Sequence, residues 1–381
     1  MEVLFLCGEG PTAAQHRPRG LLAALARGGH TVTLIFADRG GATFDDLAHC
    51  CRMIPVRPRQ LGEAVAAALQ ERHYDLLHVD RGAAPLLAAP PALPTVLDAA
   101  ICAGMRQERA LRALGPLARA AQSARLPGIH REEAALIASY TSLIAATEDD
   151  AVALRRAAEG QRQVHVVPSP LDLQQLAPPV GLRDPATLLL DLRDTGRIEA
   201  TAAMATMATA MALIWAERAD ARLTVIGQTP LGAQRLAGDP RVVVAGTAQD
   251  AHDHLTSATL AVAPVEAADS APHAALEALA TGTPLVGRRA HARDLGATAE
   301  EELLVAEGAE ALARAALALL NDPPFRGRLG RAGRRLVEEH HSWERTLTAL
   351  EDVYGAATGS AIAAWRLEVG VRGARSRAAQ E

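Results

Sequence analysis

The chain has 381 residues, 49% hydrophobic and 22% charged, with a formal net charge of −5. That composition excludes an intrinsically disordered protein, and the length suits two domains better than one. Mild acidity and an aromatic content of only 3% exclude a nucleic-acid binder that relies on a positive field or on stacked aromatic platforms.

The amino terminus, Met1-Glu2-Val3-Leu4-Phe5-Leu6-Cys7, has an acid at position 2 and only a short apolar run. It predicts a strand over 3–7 rather than a signal peptide. A helix over 19–27, stopped by Gly28-Gly29, and a strand over 31–36 follow. Continuously apolar strands alternating with amphipathic helices indicate a parallel sheet covered on both faces. The first half continues with helices over 61–72, 104–122, 131–141 and 149–158. Its remaining strands fall at 76–79, 95–97, 143–146 and 164–167.

Pro168-Ser169-Pro170, Pro178-Pro179, Gly181 and Pro185 then interrupt regular structure and mark the domain boundary. A first domain is expected over 1–178 and a second over 179–341. Strands at 187–190, 222–226, 242–245, 260–263, 284–286 and 303–305 alternate with helices at 198–217, 231–237, 250–257, 272–281, 309–321 and 324–340. The apolar stretch 202–215 is short and rich in Ala, Met and Thr, as a packed helix is; no run reaches transmembrane length, and peripheral membrane contact is left open. Residues 342–366 read as a closing helical segment packing back on the first domain, and 367–381 as a frayed tail. The expected fold class is α/β, with two Rossmann-like doubly wound domains facing across a cleft. Ligands of such sheets bind outside the carboxyl ends of the strands.

Cysteines at 7, 50, 51 and 102 have no CxxC spacing, which fits a reduced cytoplasmic protein. Basic residues at 326–335 fall on an amphipathic helix and read as a solvated face. No metal constellation is visible, since His340-His341 are neighbours on a helix and point apart.

Several stretches, taken in order, resemble the retaining glycosyltransferases of group 1, or family 4. The first is Leu21-Leu22-Ala23-Ala24-Leu25-Ala26-Arg27-Gly28-Gly29-His30-Thr31-Val32, similar to an apolar helix ending in R-G-H-x-V. Tyr74-Asp75-Leu76-Leu77-His78-Val79, Thr147-Glu148-Asp149-Asp150 and Val166-Val167-Pro168-Ser169-Pro170-Leu171-Asp172 follow. In the second half come Leu223-Thr224-Val225-Ile226-Gly227, Val242-Val243-Val244-Ala245-Gly246 and Ser342-Trp343-Glu344. The most specific piece, Asp269-Ser270-Ala271-Pro272-His273-Ala274-Ala275-Leu276-Glu277 with Gly282-Thr283-Pro284-Leu285-Val286, resembles the family's E-x7-E segment and its G-x-P-V strand.

The resemblance implies the GT-B architecture and a nucleotide-diphosphate sugar as donor substrate, with no separate cofactor or metal and an unknown acceptor. Such a donor brings a diphosphate, a ribose diol and a sugar. Helix amino termini supply free N–H groups for the first, and a carboxylate accepts from both hydroxyls of the second. By resemblance, Glu277 holds the ribose and Asp269 sits near the donor sugar, with Ser270 beside it among the donor-binding residues. A solvated acid and a helix cap are the plainer readings of Glu277 and Asp269. Arg193 and Arg197 stand where the family places a cationic pair for the leaving diphosphate; a surface ion pair with Asp191 or Asp194 is the alternative. Gly227 and Gly246 end strands facing the cleft, where absent side chains let a nucleotide approach the backbone; they also read as ordinary turn glycines.

The chain departs from the family pattern at several points. The loop after the first strand is thinned to Gly8-Glu9-Gly10-Pro11. Asp98 is the only acid where the family carries its first-domain acid or histidine. Asp191 replaces a glycine, Ser169-Pro170 replaces Asn-Gly, and Asp269 replaces the first glutamate. These departures leave a second expectation open: a weakened or inactive relative serving as a protein partner or binding module.

Overall fold

The computed structural model describes residues 1–9, 16–38, 47, 49–87, 90–112, 115–179, 181, 183–193, 195–227, 229–230, 233–246, 251–265 and 273–359. Strands β1 (Glu2–Cys7), β2 (Thr31–Ala37), β3 (Arg52–Val56), β4 (Leu76–Asp80), β5 (Thr95–Ala100), β6 (Ser142–Ala145) and β7 (Gln163–Val166) form one sheet. Its order is β3-β2-β1-β4-β5-β6-β7, with every pair parallel. Strands β8 (Thr187–Asp191), β9 (Arg222–Ile226), β10 (Val242–Ala245), β11 (Leu260–Val262), β12 (Leu285–Gly287) and β13 (Leu304–Val305) form a second parallel sheet, ordered β10-β9-β8-β11-β12-β13. Both sheets reverse direction of progression beside their first strand, which is where doubly wound folds open a crevice. The two Rossmann-like domains expected from the sequence are therefore present.

The helices of the first half are α1 (His16–Arg27), α2 (Leu61–Glu71), α3 (Ala103–Arg112), α4 (Pro116–Ser123), α5 (Leu126–Ile137) and α6 (Glu148–Ala157). The second half adds α7 (Arg197–Glu217), α8 (Gln234–Ala237), α9 (Ala251–Ser257), α10 (His273–Ala280), α11 (Arg289–Leu295), α12 (Ala309–Asn321), α13 (Pro323–His340) and α14 (Trp343–Thr358). By length and composition α7 could cross a membrane. Its Ala203, Met207, Ala210, Met211 and Ile214 nonetheless follow a helical stripe buried in the second core against the sheet and α12, as a packed core helix requires.

Helix α5 begins five residues earlier than the helix expected over 131–141, and three further local features differ from the sequence reading. The helix expected over 104–122 is two, α3 and α4, because Pro116 starts α4 at its first turn after Gly115, a position proline favours. Strand β3 was not expected, since Pro55 lies within it; it is the edge strand of its sheet, where a missing N–H is tolerated. Helix α11 was also not expected; it is one short segment ended by Gly296 at φ 65°, the left-handed cap that glycine supplies.

Two arrangements hold the second domain around its crevice. Arg183 donates from Nη1 to the carbonyls of Leu255, Thr256 and Ala258, each at 3.0 Å, and to Thr283 Oγ1 at 2.7 Å. Its Nη2 donates to the Thr281 carbonyl at 2.7 Å. The guanidinium thus satisfies carbonyls at the ends of α9 and α10 that lack intrahelical partners. Helix α13 crosses α10 through Gly330 and Gly333, where an added Cβ would lie 2.4 Å from the Gly282 carbonyl oxygen and 2.6 Å from Leu279 Cδ2. This close seat fixes the helix that carries Glu277.

Helix α14 packs on α1 and on β4, β5 and β6. Its fully buried Tyr354 places Oη 2.9 Å from Nδ1 of His78, whose ring stacks on Phe5 at 4.1 Å between centroids. Residues 360–381, which include the predicted end of the closing segment and the tail, lie outside the described residues.

Candidate functional site

A cavity of about 650 Å³ opens at the carboxyl ends of β8 and β11. Its floor is Leu190–Leu192 with Ala263–Val265, and its walls are the first turns of α7 and α10. His291 of α11 also lines it, while α3 and α5 of the first domain cover it with Arg106, Gln107 and Glu132. The volume is that of a small-molecule site, and the position is the switch point of the second sheet.

Beside the floor, Arg193 is held between two carboxylates. Its Nε lies 3.0 and 2.9 Å from the two oxygens of Asp191, and its Nη2 lies 2.6 Å from Asp191 Oδ2. The same Nη2 donates to Glu277 Oε2. Glu277 is only 7% exposed on an alanine-rich helix, and His273 Nε2 stands 3.6 Å from its other oxygen. Burial acts to lower the Arg193 pKa, but hydrogen bonds and charge from Asp191 and Glu277 outweigh it and raise it above the usual value. A carboxylate buried this deeply persists because it is paired.

At the start of α7 the N-cap is Gly196, which offers no side chain to the first-turn N–H groups. Glu199 fills that space: a Cβ on Gly196 would stand 2.4 Å from Glu199 Oε2. Glu199 is 7% exposed and lines the cavity. His291 accepts from the Arg288 N–H through Nδ1 at 3.1 Å, so its proton sits on Nε2. Burial, aided by Arg288, pulls its pKa down to about 4, leaving a neutral ring at the cavity wall.

The amino-acid sequence of the second domain matches, over residues 194–322, the family described as glycosyl transferases group 1. The sucrose-phosphate synthase of Thermosynechococcus elongatus superposes with a TM-score of 0.73 at 19% identity, covering 93% of this chain and 98% of that one. A glycosyltransferase of Rickettsia africae gives 0.67 at 11% identity with the same coverages. HepE of Anabaena, in complex with UDP-glucose, gives 0.68 at 15% identity over 93% of this chain and 100% of its own. The second half thus resembles group 1 glycosyl transferases, and the chain as a whole has the fold of these solved glycosyltransferases, the two-domain GT-B architecture. Among curated protein sequences none matches significantly.

The sequence-derived site residues scatter. Glu277 and Arg193 come together next to the cavity. Arg197 is exposed as the first residue of α7. Gly227, at φ 98°, lets β9 approach the Leu192–Arg193 backbone, since a Cβ would come within 2.9 Å of it; it shapes the Arg193 loop. Gly246 is exposed after the edge strand β10. Neither glycine nor Arg197 lines the cavity, and Arg193 and Glu277 stand beside it rather than in its lining. Asp269 and Ser270 lie outside the described residues. Asp98 is 4% exposed and forms a bidentate pair with Arg17, from Nε at 2.9 Å and Nη2 at 3.0 Å. Arg17 also donates to the Val167 carbonyl at 2.9 Å and Ser169 Oγ at 3.2 Å. In the structure Asp98 thus ties α1 to the segment leaving β7.

The thinned loop has its own explanation. A Cβ on Gly8 would stand 2.1 Å from the Gly82 carbonyl carbon, and the Gly8 N–H donates to Asp80 Oδ1 at 3.2 Å. The retained glycine is consumed by packing against the loop after β4.

Sequence reasoning passed over three features. Arg106 on α3 and Glu199 at the third position of α7 line the cavity; glutamate three residues after a small N-cap is a readable signal for the second. The third is the link between domains above the cavity. Arg109 on α3, 5% exposed, donates to both oxygens of Asp294 on α11 at 2.8 and 3.1 Å, and Arg293 pairs with Asp149 at 2.6 Å. No local pattern announces it.

Proposed function

We propose that the protein transfers a sugar from a nucleoside-diphosphate sugar, bound in the cavity at the β8–β11 switch point, to an acceptor held by the first domain. The observation that carries this reading is the buried Glu277 carboxylate, held by Arg193 beside a cavity sized for such a donor. In this reading Glu277 accepts from the ribose diol, and Asp269 and Ser270 lie near the sugar. Arg193 and Arg197 offset the charge that develops on the leaving diphosphate in place of a metal, and the family resemblance supports retention at the anomeric carbon. Gly227 and Gly246 border the nucleotide side. The donor domain is placed at 179–341 and the acceptor domain at 1–178, with the segment 342–366 closing back on the latter. The bound UDP-glucose of HepE supports a uridine donor first among those to be tried. Cysteines without CxxC spacing support a reducing, cytoplasmic setting.

A second reading, a binding module without turnover, is favoured by one observation. The described cavity wall carries three carboxylates, Glu132, Asp191 and Glu199, against one guanidinium, Arg106. Asp98, the acid expected from the first domain, is engaged by Arg17.

The test is a thermal titration with uridine, guanosine and adenosine diphosphates. One of them at 100 times its dissociation constant should add about 2.7 kcal/mol of stability, and Glu277→Gln should remove that gain. No response to any of the three would refute a nucleotide-sugar site. Binding accompanied by release of sugar from the matching donor separates transfer from the second reading.

A further inference from the structure

Two of the cavity's acids stand on two elements, at and beside the described floor, that are suited to a diphosphate. The first element is Arg193, whose Nε and Nη2 are both taken by Asp191. The second is the amino terminus of α7. Helix α7 has 21 residues and a glycine N-cap with no side-chain bond to its first turn, so its leading N–H groups and positive dipole end are directed at whatever fills the space above Gly196. Glu199 Oε2 fills it. That carboxylate is more than nine-tenths buried, lines the cavity and has no hydrogen-bond or ion-pair partner among the described residues. The positive end of the helix favours a negative charge at this place.

We propose that Asp191 and Glu199 act as built-in anions that occupy the diphosphate subsite of the empty cavity and set how tightly, and which, phosphorylated ligands enter. The inference rests on the donor reading for the identity of the ligand, and on the Asp191–Arg193 and Glu199–Gly196 geometry for the competition itself. An incoming diphosphate must take Arg193 from Asp191 and turn Glu199 away from the α7 terminus. Each displaced carboxylate remains within the same low-dielectric pocket and repels the ligand. Affinity for phosphorylated ligands is therefore held down, while the nucleoside portion, placed toward Glu277, is left unaffected. Strong binding then requires contacts from the sugar and acceptor side to complete the exchange, which restricts entry to the full donor.

The experiment is calorimetric titration of the wild type, Asp191→Asn, Glu199→Gln and the double variant with UDP, inorganic pyrophosphate and uridine. Both substitutions are isosteric; Asp191→Gly is a second variant at the strand end, and unliganded melting temperatures report that each chain folds. Each single variant should bind UDP and pyrophosphate about tenfold more tightly than the wild type, the double variant more tightly still, with uridine unchanged. Equal or weaker phosphate binding in the variants overturns the proposal, and leaves the donor reading intact if the wild type binds UDP. A gain that extends equally to uridine also overturns it, since that marks a loosened cavity rather than removed repulsion. A gain for pyrophosphate with no UDP binding by any form supports the competing anions and removes the nucleotide from the donor reading. No pyrophosphate binding by any form, the double variant included, overturns the proposal.

Discussion

Arg109→Ala is expected to destabilise the protein by about 3–5 kcal/mol, read as a fall in the calorimetric melting temperature. The guanidinium it removes is 5% exposed and meets both oxygens of an Asp294 side chain that is itself 4% exposed. The variant leaves a buried carboxylate with only the half-exposed Arg293, at 3.3 Å, as its counterion. Burial raises the Asp294 pKa even with Arg109 and Arg293 opposing it, so the intact pair gains little over two solvated charges. Loss of one partner is nevertheless severe, because the desolvation cost remains while the attraction to Arg109 is gone. Replacing both groups by apolar ones, as in the double variant Arg109→Met with Asp294→Leu, should recover most of the loss. The neighbouring Arg293–Asp149 pair has side chains 49% and 38% exposed and should contribute less than about 1 kcal/mol. Because the link joins α3 to α11 across the cavity, small-angle scattering should also report a more extended Arg109→Ala chain. Equal melting temperatures for wild type and variant would remove the link from the account.

The second large effect is loss of stability between about pH 6.5 and 4. Burial is the leading cause that lowers the pKa of His78, His291 and His341 to about 4 each. Below about 6.5 the unfolded chain protonates these imidazoles while the folded chain does not. Their contribution is thus complete above 6.5 and is lost as pH falls toward 4. Three such groups together give a slope of about 4 kcal/mol per pH unit. Asp80 acts in the opposite direction. Burial raises its pKa to about 6 despite hydrogen bonds from the Ala83 and Gly8 backbone, so protonation below 6 favours the folded state and offsets about a third of the slope. Urea midpoints measured from pH 7.5 to 4.5 should fall steadily, and His78→Gln should flatten the decline. A flat profile would contradict the neutral buried state of these rings.

The sequence made most of the strands legible because they are largely apolar runs bounded by glycine, proline or a charged turn. Val3–Cys7 and Leu188–Leu190 are examples, and both are essentially fully buried. Edge strand β3 was hidden by Pro55, and α11 by its seven-residue length. Glu277 was legible through its spacing within the E-x7-E segment. Its partner was legible only as a candidate, since Arg193 reaches it across 84 positions. Asp98 shows the opposite limit. An acid at the end of a first-domain strand reads as a cleft residue, yet Arg17, 81 positions away, holds it in the domain interior. Pairings across such separations follow from how the two domains close, and no local period encodes them.

The most direct measurement is a crystal structure of the protein with the best-binding nucleoside diphosphate. The account predicts the ribose hydroxyls within hydrogen-bond distance of the Glu277 carboxylate, with the diphosphate between Arg193 and the α7 terminus, in the space that Glu199 fills in the unliganded chain. A nucleotide bound elsewhere, with Glu277 still closed on Arg193, would contradict it.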